Sequence, residues 1–233
     1  MRWWEVRVRF EGFSAGTLTF LADLSEHNDR AWFAENRARY DSELLERQRA
    51  FVDAVGVAFS ELDPRVQCVA SIDRSIFRIN RDTRFARDKS PYKTYSDLWF
   101  WIGDDRKSAP GYFMRILPSA IVIGGGAHRL EPPQLARMRS AIVASASGGK
   151  IDGVLGGLRA VGYEVGESTL TRVPAGFSAD APRAELLRYT VMHAITKVEP
   201  VPPEFYSEAF VDWCMERFLE VRPMVDWLVE NVG

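Results

Sequence analysis

Residues Arg78 to Thr94 read RINRDTRFARDKSPYKT, and this stretch concentrates the chain's capacity for chemistry. Between Arg74 and Lys93 lie seven cations: Arg74, Arg78, Arg81, Arg84, Arg87, Lys89 and Lys93. Only two carboxylates, Asp82 and Asp88, oppose them. Arginine presents a planar fork that grips a carboxylate or phosphate through two hydrogen bonds. Guanidinium groups crowded on one hairpin repel unless something pairs them. Along a strand, Arg74, Arg78 and Arg84 share a parity, and Arg81 and Arg87 take the other. The expected partner is an anion, best a phosphorylated small molecule. Arg78, Arg81, Arg84, Lys89 and Lys93 would grip it, Asp82 would orient the arginines, and Tyr92 would line the site as an aromatic platform.

The same residues support other readings. From Glu199 to Glu230 the chain carries eight acids (Glu199, Glu204, Glu208, Asp212, Glu216, Glu220, Asp226 and Glu230) against Arg217 and Arg222. An acidic C-terminal helix docked on the basic hairpin, through Glu208, Asp212 and Glu216, would make the cluster an internal ion-pair lock. The protein would then be an interaction or scaffold protein. A solvated charged face is the plainest reading. Nucleic-acid binding would recruit Tyr92, Tyr95, Trp99 and Trp101 for base stacking. Aromatics on a sheet more often fill a core, and this reading is disfavoured.

Other chemistry is weaker. His27, His128 and His193 show no zinc-ligand spacing. His128, Glu131 and His193 would need to converge in space to hold a metal, so no metal and no cofactor is expected. Gly124-Gly125-Gly126 is not a dinucleotide fingerprint, because Arg129 stands where a third glycine would fall. There is no nucleophile elbow around a serine. Asp82, Asp88 and Glu35 could supply paired carboxylates, and Asp82, between Arg81 and Arg84, suits a structural anchor better than a base. The sequence specifies no reaction and no oligomeric state.

The chain has 233 residues, 46% hydrophobic and 27% charged, with a formal charge of −2. These values exclude a disordered chain, a fibre and a disulfide-stapled miniprotein. No apolar run reaches membrane-spanning length. The near-neutral balance argues against coating nucleic acid with the whole surface. Cys68 and Cys214, lacking metal-ligand spacing, read as free thiols of a cytoplasmic protein.

These residues need a scaffold. Trp4, Val6, Val8 and Phe10 alternate with charged residues as a half-buried strand does. Helices are predicted over Thr17–Leu24 with Thr17 as cap, over Arg30–Arg39, and from Leu44 to Leu62, stopped by Asp63-Pro64. Four strands follow as a meander: Val69–Ile79, Tyr95–Ile102, Gly111–Leu117 and Ala120–Ile123, the last two joined at Pro118-Ser119. Gly124-Gly125-Gly126 ends this sheet. Glu131-Pro132-Pro133 opens a helix that Gly148-Gly149 closes, and a further helix covers Ile151–Val161. Leu170–Val173 reads as a short strand, Pro182–Leu187 as a short helix capped by Asp180, and Arg188–Val198 as strand. Pro202-Pro203 starts the last helix, which Pro223 kinks or restarts. The pattern predicts an α+β fold with N-terminal helices, a central mostly antiparallel sheet and a C-terminal helix. Residues 10–233 form one domain and residues 1–9 an extension.

The motifs resemble a known family. Arg78-Ile79 with Arg81-Asp82-Thr83-Arg84-Phe85, then Asp88-Lys89-Ser90-Pro91-Tyr92-Lys93-Thr94, resembles the signature of the bacterial domain-of-unknown-function 2461 family. Phe20-Leu21, Asn28 and Trp32-Phe33 with Tyr40 resemble its N-terminal motif, with His27 where the family usually shows a second Asn. Gly124-Gly125-Gly126, Leu135 and Arg139 resemble its glycine turn and helix. Pro174-Ala175-Gly176-Phe177 resembles its Pro-x-Gly-Phe element. The resemblance runs from Phe10 to the last helix. It implies a single-domain α+β fold and carries no activity.

Overall fold

The structure is a computed structural model in which residues 9–166 and 170–233 are described. The alternating run through Trp4, Val6 and Val8 lies outside those residues; Phe10, at its end, is buried. The fold is mixed α+β, with N-terminal helices, a six-stranded antiparallel sheet and a C-terminal helix.

Four helices open the chain: α1 (Ala15–Glu26), α2 (Arg30–Glu35), α3 (Arg37–Arg39) and α4 (Glu46–Leu62). A π-helical turn, Tyr40–Leu45, leads into α4. The cap of α1 is Ser14, whose hydroxyl accepts from the Thr17 amide at 3.2 Å. Thr17 is the reciprocal member of the capping box and not the cap, and its buried hydroxyl donates to the Glu43 carbonyl at 2.6 Å. Asp29 caps α2 through the Trp32 amide. The predicted helix over Arg30–Arg39 is interrupted at Asn36, whose amide donates back to the Trp32 carbonyl.

The strands are β1 (Val66–Gln67), β2 (Ser96–Ile102), β3 (Gly111–Ile116), β4 (Ile121–Ala127), β5 (Glu164–Val165) and β6 (Met192–Val198), in spatial order β1-β2-β3-β4-β6-β5. All seven residues of β2 are buried, which explains its missing alternation. The meander holds for β2, β3 and β4, with the Leu117 amide closing the Pro118-Ser119 turn onto Ala120. It fails for Val69–Ile79. That run is a folded loop held by single bridges, Ile72 with Ile76 and Ile76 with Leu98. Asp73, at φ 64°, reverses its direction, so a continuous ladder cannot form.

Further expectations change. Gly124-Gly125-Gly126 lies inside β4 and does not end it. A Cβ on Gly124 would stand 2.0 Å from the Ala194 carbonyl, and Gly126, at φ 133°, would meet the Met192 carbonyl at 2.2 Å. The glycines allow close backbone approach to β6. Gly148-Gly149 does not end a helix either: α5 (Pro132–Val143) stops at Ala144, and α6 (Ser145–Ala160) runs through both glycines. A Cβ on Gly148 would sit 1.9 Å from the Ile142 carbonyl, so this glycine serves contact with the end of α5. Leu170–Val173 is not a strand, and Pro182–Leu187 reduces to a 3₁₀ turn at Leu186–Arg188. Arg183, at φ 61°, donates instead to the Ile142 carbonyl at 2.8 Å, closing the C-terminus of α5. Pro203–Tyr206 is a 3₁₀ turn, and the last helix, α7 (Phe210–Asn231), continues through Pro223.

Two compact units are recognisable. The first comprises Met1–Phe100, Met114–Val122 and Lys197–Met215. Its core is aromatic: Phe13 stacks on Phe205 at 4.9 Å, and Phe51 and Trp213 close on Phe210 at 5.5 and 5.4 Å. Such pairs each add about 0.5–1.5 kcal/mol beyond area burial. The second comprises Trp101–Phe113, Ile123–Thr196 and Glu216–Gly233. There Ile142, Ile151, Leu155, Leu187 and Trp227 are fully buried, and the Trp227 indole donates to the Ser147 carbonyl at 3.0 Å.

Candidate functional site

The basic hairpin belongs to the first unit. Its base is narrow: Asn80 bridges Tyr92, the Arg81 amide donates to the Pro91 carbonyl at 2.8 Å, and the Lys93 amide to the Ile79 carbonyl at 2.8 Å. The helical layer grips this base twice. The Asn28 side chain donates to the Tyr92 carbonyl and accepts from its amide, both at 3.0 Å. The Tyr92 ring stacks on Phe33 at 4.1 Å and 18°. Tyr92 is 7% exposed, so it anchors the hairpin and its ring is spent on that contact.

Beyond the base, Asp82 to Ser90 form an exposed loop organised by its own carboxylates. Arg84 forks onto Asp82, with Nε to Oδ1 at 3.0 Å and Nη2 to Oδ2 at 2.7 Å. The Arg84 side-chain hydrogen bond, then its backbone amide, hold the Asp82 carboxyl down at about 2. Arg81 pairs with Asp88 at 2.5 Å and reaches the Ser90 carbonyl at 3.2 Å. Asp88 also accepts from the Ser90 hydroxyl and amide, and these bonds followed by Arg81 hold it far below the carboxylate range. Asp82 therefore does orient an arginine, Arg84, and Asp88 does the same for Arg81.

Lys89 takes a third position. Its ammonium donates to the Thr83 carbonyl at 2.9 Å, beside an open depression of about 520 Å³ lined by Asn28, Asp29, Arg30, Thr83, Ser90 and Pro91. At the tip, Phe85 is 95% exposed, with the Arg84 guanidinium 5.9 Å from its ring.

Lys93 and Arg78 are two further cations of the segment, at the base of the hairpin. The Lys93 ammonium lies 5.3 Å from the Phe77 ring and 6.0 Å from the Tyr95 ring. It is half-buried, and among the described residues it has no hydrogen-bond acceptor and no ion pair. Burial pulls its pKa below the ordinary value; Asp97 and Asp73 oppose the shift, while Arg115 and Arg78 reinforce it. Arg78 is exposed and likewise unpaired among the described residues.

Arg115 and Asp97 are additions that reading the sequence missed. Asp97, 7% exposed, accepts Arg115 through both oxygens at 2.6 and 3.1 Å. The guanidinium stacks 3.9 Å from the Tyr95 ring. Arg115 stands on β3 and Asp97 on β2, so only strand pairing brings them beside the hairpin. Tyr95 faces this cation pair, while Trp99 and Trp101, at 3% and 2% exposure, are core residues.

Four carboxylates of the acidic segment are paired outside the hairpin: Glu208 with Arg9, Glu216 with Arg217, Asp226 with Arg222 and Glu230 with Lys150. Among the described residues no three His, Cys, Asp or Glu side chains form a group fit for a metal. Glu131 caps α5 itself, with Gln134 returning the bond to its amide at 3.0 Å. Among the described residues no helix is long and apolar enough to cross a membrane.

Against known proteins, the chain matches a family described as conserved hypothetical protein (DUF2461) over residues 16–227. It belongs to that family. No curated protein and no solved structure gives a match.

Proposed function

We propose that this family member is a cytoplasmic anion-binding protein whose ligand is a phosphorylated small molecule held at the base of the basic hairpin. The observation that carries the reading is the Lys93 ammonium, half-buried beside the Phe77 and Tyr95 rings, with no acceptor for its three donors among the described residues. A half-buried ammonium left without a partner is costly, and an anion at that point removes the cost. Arg78, exposed and unpaired among the described residues, can turn to the same anion, and Arg115 stands beside it, held in place by Asp97 and Tyr95. Arg81 and Arg84 shape the loop, because their guanidinium groups are already engaged by Asp88 and Asp82. Lys89 offers an outer contact for a larger ligand. The free thiols Cys68 and Cys214 accord with a reducing compartment.

A thermal-shift series with phosphate, pyrophosphate, sugar phosphates and nucleotides tests the reading. A ligand at a hundred times its Kd stabilises the native state by about 2.7 kcal/mol, roughly 5–10 °C for a chain of this size. Absence of any shift at millimolar anion overturns it.

A further inference from the structure

Resting on that anion-binding reading, we propose that Lys93 is a nucleophilic amine that condenses with a carbonyl group of the bound anionic ligand, while Arg78 and Arg115 hold the anionic group. The chain has five lysines, and four of them, Lys89, Lys107, Lys150 and Lys197, are exposed. Three of those four have a partner: Lys89 the Thr83 carbonyl, Lys150 Glu230, and Lys197 Glu199. Lys93 alone is withdrawn from water, and its amine is not tied to an acceptor among the described residues. Asp97 is engaged by Arg115 through both oxygens and makes no hydrogen bond or ion pair with Lys93. Withdrawal from water and neighbouring cations are the conditions that make a lysine nucleophilic near neutral pH. The direction of the Lys93 shift agrees.

The chemistry balances without any oxidant or reductant. The Nζ lone pair of the neutral amine attacks the carbonyl carbon, forming the C–N bond as the C=O π pair moves to oxygen. A proton passes from nitrogen to that oxygen, giving a carbinolamine. The oxygen takes a second proton from solvent and leaves as water while the C=N bond forms, so amine plus carbonyl plus one proton gives a protonated imine and water. Hydrolysis reverses it.

The test uses glyoxylate, a carboxylate that carries an aldehyde, with cyanoborohydride added to trap the imine as a carboxymethyl-lysine. Peptide mass spectrometry reads the five sites on the intact folded chain at neutral pH. The expected result is labelling of Lys93 several-fold faster than of any other lysine, slowed by added pyrophosphate. Arg78→Gln should slow glyoxylate labelling of Lys93 several-fold and slow its labelling by the neutral glycolaldehyde less. Lys93→Arg should show no label at residue 93, while the other four lysines label as before. Equal labelling of all five lysines, or labelling of Lys93 indifferent to Arg78→Gln, overturns the imine chemistry. If pyrophosphate binding through Lys93 persists in that case, the anion site survives alone. If pyrophosphate neither binds nor slows labelling, both readings fall.

Discussion

At the scale of single residues, the cations of the hairpin divide by what they touch. Arg81 and Arg84 are satisfied by Asp88 and Asp82, whereas Lys93 and Arg78 are not. Replacing Lys93 with Met keeps the length and the contact with Phe77 and Tyr95 but removes the charge. Anion affinity should fall about 10- to 150-fold, the range for a hydrogen bond to a charged group of about 1.5–3 kcal/mol. Denaturant midpoints should stay equal or rise, because an unpaired ammonium has gone. Affinity must also depend on pH. The site needs Lys93 protonated, and its pKa lies below 10.5 through burial, Arg115 and Arg78, against Asp97 and Asp73, with Tyr95 as the remaining titratable neighbour. Sulfate, whose charge is constant, should therefore weaken as pH rises, the loss starting below pH 10.5. A flat profile would remove Lys93 from the site. Asp82 gives an independent check. Its folded pKa of about 2 lies below the ordinary 3.8, so its pairing with Arg84 persists above 3.8 and is lost as pH falls towards 2. A carboxyl titration by NMR should show this, and Arg84→Gln should return the midpoint towards 3.8. The surplus of cations was legible in the linear sequence because the residues are neighbours. Arg115 and Asp97 were not, since nothing local marks a charged pair made by two adjacent strands.

At the scale of elements, the hairpin is held by the helical layer. Asn28 supplies two hydrogen bonds to the Tyr92 backbone and Phe33 supplies a stacked ring. Asn28→Ala should cost about 1–3 kcal/mol by leaving those backbone groups unsatisfied. It should also weaken anion binding without touching the anion, because the base of the hairpin carries Lys93. Denaturant unfolding and a sulfate titration on the same variant read both effects. This clamp gives a physical reason for two motifs of the family resemblance, Asn28 with Trp32-Phe33 and Ser90-Pro91-Tyr92, to occur in one chain. Within the second unit, Gly126→Ala combines a positive φ with a carbonyl 2.2 Å from the new Cβ. Each effect costs about 1–3 kcal/mol, so a severe fall in thermal midpoint is expected, and an unchanged midpoint would contradict the close approach of β4 to β6. The helices were largely legible from periodicity and from the flanking Pro and Gly residues. Two of the errors came where glycine was read as punctuation. Gly124 to Gly126 and Gly148 permit close packing inside an element, and sequence alone does not separate that use from a chain end.

At the scale of the whole molecule, the formal charge of −2 is the sum of unlike segments. The hairpin keeps its surplus of cations while Glu208, Glu216, Asp226 and Glu230 pair with cations outside it. Binding driven by a few clustered cations should weaken with added salt far less steeply than binding to a nucleic acid, where each neutralised phosphate contributes nearly one unit of slope. A steep slope would favour the nucleic-acid reading instead. The thiols should be quiet in the folded chain: burial pushes Cys68 up to about 12, and Cys214 is fully buried. Alkylation at neutral pH should therefore proceed only on unfolding. The α+β class and family membership were legible from pattern and motif, whereas the separation of structural from available cations depends on tertiary pairing.

The most direct measurement is an anomalous-scattering map of crystals soaked with tungstate, an electron-dense stand-in for phosphate. The account predicts a site within hydrogen-bonding reach of Lys93 Nζ, with Arg78 turned towards it and Asp97 still paired to Arg115. Tungstate bound only along the loop from Asp82 to Ser90, or none at the hairpin at all, would contradict it.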